Sequence, residues 1–297
     1  MDRLKAMEVL LAAVETGSLS AAGRKLGMPL PTVSRKISEL EAHLGARLLH
    51  RSTRMLALSD AGRDYLAACR RILEEVDEAE RAAAGEYSTP RGDLVITAPI
   101  VFGRLHVLPL INEFLKGYPE VNVRLSLRDQ IINLLDEHVD LAVRIGHLPD
   151  SALIARRLGV IRRVVCGSPD YLARRGKPGK PDELGDHCCV SFDALTGPDT
   201  WVFDVDGARV SVPIRSRLSV NTAEAAIDAA AAGVGLTRVL SYQVVAAEQA
   251  GLLKRVLCDF EPADIPVSLV YPGQGQQTLK VRAFLDFAAP RLQQGIG

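Results

Sequence analysis

The chain has 297 residues, 47% hydrophobic and 24% charged, which excludes a disordered protein and allows two or three separate cores. Lys plus Arg number 36 and Asp plus Glu number 36, so any affinity for nucleic acid or an anionic surface must sit in a local patch. No run of about 18 apolar residues suggests a membrane span, and the five cysteines, none in a CxxC pair, fit free thiols in a reducing cytoplasm.

The first predicted element is a helix over residues 3–15. Leu4, Met7, Leu10, Leu11 and Val14 recur at helical spacing with Glu8 and Glu15 among them, which argues against a secretory leader. Gly17 ends it. Ser18 or Ser20 can cap a short helix over 20–26, stopped by Gly27. A third helix is expected from Pro31 to Leu44, with Val33, Ile37, Leu40 and Leu44 on one stripe and Gly45 at its end. Pro31 suits a first turn, and Leu30, preceding a proline, is expected to be non-helical. Short helix, glycine turn and second helix are the helix-turn-helix spacing.

With Val33, Ile37 and Leu40 inward, Pro31, Arg35, Ser38 and Ala42 face outward, flanked by Thr32 and Ser34. That face offers donors and a cation near its N-terminus, then Glu39 and Glu41. A duplex would accept the first half and repel the second, so the helix is expected to enter a major groove by its N-terminal turns. Residues 24–54 hold seven basic side chains against two acidic ones, a local +5. RLLHRSTRMLAL, residues 47–58, reads as a hairpin with Ser52-Thr53 near the turn and Arg51 and Arg54 beside it, a wing suited to phosphate or minor-groove contact. The plainer alternative is a three-helix bundle with a solvated basic face.

Ser59-Asp60-Ala61-Gly62 can cap a long helix reaching about residue 84. Tyr65, Cys69, Ile72, Val76, Ala79 and Ala83 repeat at alternating fours and threes, a coiled-coil seam. Small residues at its far end suggest pairing with a second chain, the alternative being packing on its own domain. Cys69 reads as a packing residue. Residues 85–93 form a turn-rich boundary.

Beyond residue 93 strands alternate with helices. LVITAP, VNVRLSL, VDLAVRI, RRVVC and PVSLVYP read as strands. VLPLINEFLKGY, IINLLDEH, EAAIDAAAAG and KVRAFLDFAAPRL read as helices. The class expected is α/β with largely parallel sheets in two lobes. Ligands in such folds bind beyond strand C-termini, where Thr97-Ala98-Pro99, Arg144-Ile145-Gly146-His147 and Asn221-Thr222-Ala223-Glu224 fall. Asn221 with Glu224 can open a helix as a capping box, and Thr97 and Arg144 can equally be a cap and an ion-pair partner. His187-Cys188-Cys189 lie too close together to chelate one ion readily and read as structural, so no metal or cofactor is expected. No GxSxG, HExxH, GxGxxG or Walker loop occurs, so catalysis is not expected.

The stretch ETGSLSAAGRKLGMPLPTVSRKISELEAHLGARLLHRSTRMLALSDAG resembles the N-terminal winged helix-turn-helix of LysR-type transcriptional regulators, with SLSAAGRKLG, VSRKISELEAHLG and RLLHRSTR in the family's order. The resemblance implies DNA contacts at Pro31, Thr32, Ser34 and Arg35 and at Arg54 in the wing, to which the residue pattern adds Ser38 and Arg51. Leu30 departs from the family, where a polar residue, often glutamine, is common; a thymine methyl could be its contact. The resemblance covers the whole chain. It implies a DNA-binding domain over 1–59, a dimerising linker helix over 60–89 and an effector-binding domain over 90–297. The last comprises two Rossmann-like lobes similar to periplasmic solute-binding proteins, lobe one at about 90–164 and 266–297, lobe two at about 165–265. Thr97, Pro99, Ser126, Arg144, Asn221 and Thr222 then lie near an interlobe cleft for a small anionic or aromatic effector. The partners implied are double-stranded DNA, the effector, further copies of the chain as a dimer or tetramer, and RNA polymerase. A cytoplasmic solute-binding module without DNA recognition is the alternative, and the basic first domain argues against it.

Overall fold

The structure, a computed structural model, describes residues 1–51, 56–83, 89–134, 136–149, 153–192, 200–273 and 277–296. The chain divides into two compact units, one built mainly from Met1–Gly92, the other mainly from Asp93–Gly275 and Val281–Gly297.

The first unit opens with α1 (Arg3–Thr16), α2 (Leu19–Leu26) and α3 (Leu30–Leu44). The Asp2 carboxylate accepts the Lys5 N–H at 3.1 Å and caps α1. Gly27, at φ +64°, ends α2 in the left-handed region and turns the chain toward α3. Gly23 allows the two helices to approach, since a Cβ there would lie 2.6 Å from the Met28 carbonyl oxygen. The helix α3 begins at Leu30, one residue earlier than expected. Pro29 is its N-cap, with φ −61° and ψ 141°, and the Thr32 and Val33 amides donate to the Pro29 carbonyl at 2.9 and 3.2 Å. The steric bias against a helical residue before proline is outweighed by these two bonds, and Pro31 itself is tolerated in a first turn, where the helix does not use its missing N–H.

Strands β1 (Leu49–Arg51) and β2 (Leu56–Leu58) pair antiparallel, Leu49 opposite Leu58, as the expected hairpin. The Ser59 hydroxyl then accepts the Gly62 N–H at 2.9 Å and starts α4 (Asp60–Ala83). The front of the expected seam is used at home: Cys69 is fully buried among Leu10, Leu40 and Leu66, with Tyr65 and Ile72 packed against the same cluster. Burial pushes the Cys69 thiol up to about 11, so at neutral pH it is an uncharged packing group. Further along α4, Val76 is half-buried while Ala79 and Ala83 are exposed.

The second unit holds two five-stranded sheets. The first uses β3 (Gly92–Ala98), β4 (Val121–Leu127), β5 (Leu141–Ile145), β6 (Leu153–Ile161) and β14 (Ile265–Pro272), in the order β4-β3-β5-β14-β6. The second uses β7 (Arg163–Gly167), β8 (Cys188–Phe192), β11 (Arg215–Val220), β12 (Leu236–Leu240) and β13 (Lys254–Val256), in the order β11-β8-β12-β7-β13. A separate hairpin pairs β9 (Thr200–Val205) with β10 (Ala208–Pro213). The chain leaves the first sheet at β6, builds the second, and returns with β14.

The sheets are mixed, which corrects the expectation of largely parallel pairing. β3 and β5 run parallel, as do β8 with β11 and β12, whereas β14 pairs antiparallel with β5 and β6, and β7 with β12 and β13. The strands that carry the chain between lobes run against their neighbours. β6 escaped sequence detection because Ile154, Ala155, Arg156 and Arg157 on this sheet edge are all exposed, which erases alternation.

Helices α5 (Ile100–Phe102), a π-helical turn (Gly103–Val107) and α6 (Leu108–Gly117) follow β3 in succession. Later come α7 (Pro169–Arg175), α8 (Ala223–Ala231), α9 (Ser241–Gln249) and α10 (Leu279–Ile296). Phe102, Phe114 and Phe284 anchor the first lobe's core. The helix expected over 131–138 is absent from its described residues. The Val139 N–H donates to the Leu134 carbonyl at 2.8 Å and His138 sits at φ +52°, a helix-ending geometry that leaves only a turn.

Candidate nucleic-acid interface and effector region

In the first unit, three side chains orient α3. Val33, Ile37 and Leu40 are fully buried, so the opposite stripe faces outward. Pro31, Arg35, Ser38 and Ala42 are exposed, and Thr32 and Ser34 are half-buried beside them. The Arg35 Nε lies 3.7 Å from Glu39 Oε1, one turn along, and both side chains are largely exposed. Such a pair contributes little to stability and leaves the guanidinium available.

Glu41 behaves differently from the simple charge count. Its Oε1 accepts the Leu48 and Leu49 amides at 2.9 and 3.1 Å, so this carboxylate ties α3 to the first strand of the hairpin. Local charge alone did not reveal this, because the partners are backbone groups seven and eight residues away. Arg51 closes β1, and Ser52, Thr53 and Arg54 lie outside the described residues. Lys25 pairs with Glu15 at 2.8 Å.

In the second unit, β3, β4 and β5 bring Thr97, Ser126 and Arg144 to one end of the first sheet. Thr97 is fully buried and its hydroxyl donates to the Ser126 carbonyl at 3.0 Å, which ties β3 to β4. The Ser126 hydroxyl accepts from Arg128 Nε and Nη2 at 3.1 and 2.9 Å, and Arg128 Nη1 reaches Glu137 at 2.7 Å. Arg144 donates to the Ile132 carbonyl at 3.0 Å. Burial, and then the charge of Arg128, lower the Arg144 pKa, with Glu137 acting the other way. Arg128 pairs with Glu137 directly, and Arg144, bonded to a backbone carbonyl, lies within reach of both charges. Arg128 was missed by the sequence reading. Its only signal was its place two residues beyond Ser126, on the same face of an extended segment.

Pro99 caps the helix that follows β3, and the Asp129 carboxylate accepts the Ile100 N–H at 3.0 Å. That helix start therefore already holds an anion. In the other lobe Thr222, not Asn221, is the cap of α8. Its hydroxyl accepts the Ala225 N–H at 3.3 Å, because Thr222 has the extended backbone a cap requires, while exposed Asn221 precedes it. The lobes meet where Tyr242 on α9 packs edge-on to Phe102 and His106, at ring distances of 5.4 and 5.6 Å, and where Arg104 approaches Glu224 at 3.5 Å. His106 Nε2 is buried without a partner among the described residues, and burial lowers the His106 pKa.

His187 and Cys188 serve packing. The Tyr171 hydroxyl lies 3.3 Å from His187 Nδ1 and accepts the Cys188 N–H at 2.9 Å. No helix among the described residues is long and apolar enough to cross a membrane.

Comparison with known proteins assigns both units. Residues 4–63 match the bacterial regulatory helix-turn-helix protein, lysR family, and residues 88–293 match the LysR substrate binding domain. An HTH-type transcriptional regulator of Xanthomonas campestris pv. campestris is 38% identical over 96% of this chain and 84% of its own. An HTH-type transcriptional repressor of Pseudomonas aeruginosa is 34% identical over 97% and 91%. The solved structure of CrgA, a LysR-type transcriptional regulator from Neisseria meningitidis, has a TM-score of 0.61 and 32% identity, covering 97% of this chain and 98% of that one.

Proposed function

The chain belongs to the LysR family of bacterial transcriptional regulators, and from that premise we propose that it reads double-stranded DNA through the first turns of α3 and is switched by a small-molecule effector at the strand ends of its two C-terminal lobes. The observation that carries the DNA half is the polarised outward face of α3. Pro31, Thr32, Ser34, Arg35 and Ser38 are accessible at or near its N-terminal end, while the Glu41 carboxylate is withdrawn to the Leu48 and Leu49 amides. Arg51 and Arg54 extend the contact as backbone anchors. The basic segment around α3 favours this reading over a solute-binding module.

Residues 1–59 carry recognition, 60–89 pair two chains, and 90–297 hold the effector. The effector is a small anion that engages Arg144 together with Arg128, beside Thr97, Pro99, Ser126, Asn221 and Thr222. It acts by favouring one arrangement of the lobes, which changes how two recognition helices are presented to DNA in a cytoplasmic dimer or tetramer that can contact RNA polymerase.

Footprinting the full chain on the DNA around its own gene, at two salt concentrations, tests the first half. A partly palindromic protected region surviving the higher salt is expected; diffuse binding that vanishes with salt would leave only charge attraction. The genes beside the protected site supply candidate effectors for calorimetry. Wild-type affinity in Arg144→Ala would remove the arginine from the effector site.

A further inference from the structure

Leu30, Val33, Ile37 and Leu40 recur at threes and fours, so periodicity alone would put all four in the core. The structure separates them: Val33, Ile37 and Leu40 are 0% exposed and Leu30 is 46% exposed. Pro29 and Pro31 on either side are exposed as well. A single exposed leucine is ordinary. Three consecutive apolar side chains at the tip of a helix, with Arg24, Lys25 and Arg35 exposed near it in sequence, are less so.

None of these three side chains can donate or accept a hydrogen bond, so the tip cannot engage a phosphate or a base edge by polar contact. One apolar group lines the floor of a major groove, the 5-methyl of thymine. The tip is also held in place. The Pro29 carbonyl accepts the Thr32 and Val33 amides at 2.9 and 3.2 Å, and two pyrrolidine rings fix the flanking φ angles. Little backbone freedom remains to be lost on docking.

We propose that Leu30, framed by Pro29 and Pro31, is a specificity-determining residue that reads thymine through its 5-methyl group. The proposal rests on α3 being the DNA-reading helix. It adds an apolar, methyl-dependent element to the polar contacts assigned to Thr32, Ser34 and Arg35, and it requires no hydrogen bond from position 30.

Deoxyuridine is the probe, because it keeps every hydrogen-bonding edge of thymidine and lacks only the methyl. Duplexes are first selected from a random pool with the full-length protein, and each thymine of the preferred site is then replaced singly by deoxyuridine. For wild type, at least one replacement is expected to weaken binding about fourfold, the effect of one buried methyl. Leu30→Ala should bind the thymine duplex correspondingly less well, lose that sensitivity, and unfold at the wild-type midpoint. Leu30→Gln should shift the selected base at the same position. Indifference of wild type to every replacement would overturn the proposal. So would equal sensitivity in Leu30→Ala, which would trace the effect to duplex shape. Enrichment of no duplex at all would reject DNA reading by α3 itself, a result separable from rejection of Leu30 alone.

Discussion

The Arg35 side chain shows how one residue's neighbours set what it can do. Its guanidinium is held loosely by Glu39, 3.7 Å away on the next turn. Arg35→Ala is expected to relax base preference and cost about 1–3 kcal/mol of specific binding, measured by titration against matched and mismatched duplexes. Glu39→Gln should act in the opposite direction. It releases the guanidinium and removes a charge that repels phosphate, so affinity for all duplexes should rise and the salt dependence should steepen; an unchanged salt slope would show that Glu39 does not face the backbone. His106 and His187 carry a different signal, since burial is the largest cause lowering both pKa values from 6.5. The unfolded chain then takes up these protons more readily than the folded one. Stability contributed by neutral imidazoles is therefore full above about pH 6.5 and is lost as the pH falls through that value toward the lowered folded ones. The unfolding midpoint should drop between pH 7.5 and pH 5, and His106→Phe, which keeps a ring beside Phe102 and Tyr242, should reduce that drop.

The helix-to-wing connection is a property of elements. Glu41 supplies one carboxylate oxygen to two backbone amides at the start of the hairpin. Glu41→Ala leaves the amides of buried Leu48 and Leu49 without that acceptor and is expected to cost about 1–3 kcal/mol, read as a lower unfolding midpoint. If DNA binding falls further than the loss of folded protein accounts for, the hairpin is part of the reading surface. Glu41→Gln retains an acceptor and should recover most of the stability. The long helix α4 divides in the same way. Tyr65, Cys69 and Ile72 pack in the first unit's own core, so the proposed pairing of two chains would use the later positions. The paired substitution Val76→Asp with Ala79→Glu should halve the mass seen by sedimentation if the helices associate there; an unchanged mass would move self-association to another surface.

At the scale of the whole molecule, regulation requires that effector binding and DNA binding influence each other. The apparent affinity for the effector should change when the operator is saturated, by the same factor as the operator affinity changes when the effector is saturated. Arg128→Ala is expected to weaken effector binding without altering DNA binding in its absence, since Arg128 sits in the second unit beside Ser126 and Glu137. Much of this plan was legible in the sequence. Helix periodicity, Gly27, and the capping run at Ser59 are local signals, and they fixed the helix-turn-helix, the hairpin and the long helix nearly to the residue. The strands LVITAP, VNVRLSL and VDLAVRI were legible for the same reason, because their burial is close to continuous or alternating. Nothing local encodes which strand lies beside which, so the antiparallel partners of β14 and β7 were not legible. A proline's bias at Leu30 was overruled by the Thr32 and Val33 amides bonding to the Pro29 carbonyl, and the helical pattern over 131–138 by the Val139 amide, just past its end, bonding back to the Leu134 carbonyl within it. The sequence by itself determined the elements of the first unit and five strands of the second, β3, β4, β5, β7 and β14, because propensity, capping and spacing act within a few residues. Only the tertiary structure decided that Leu30 lies outside the core, that Glu41 holds the hairpin, and that Arg128 joins Arg144, because each depends on groups brought together from distant parts of the chain.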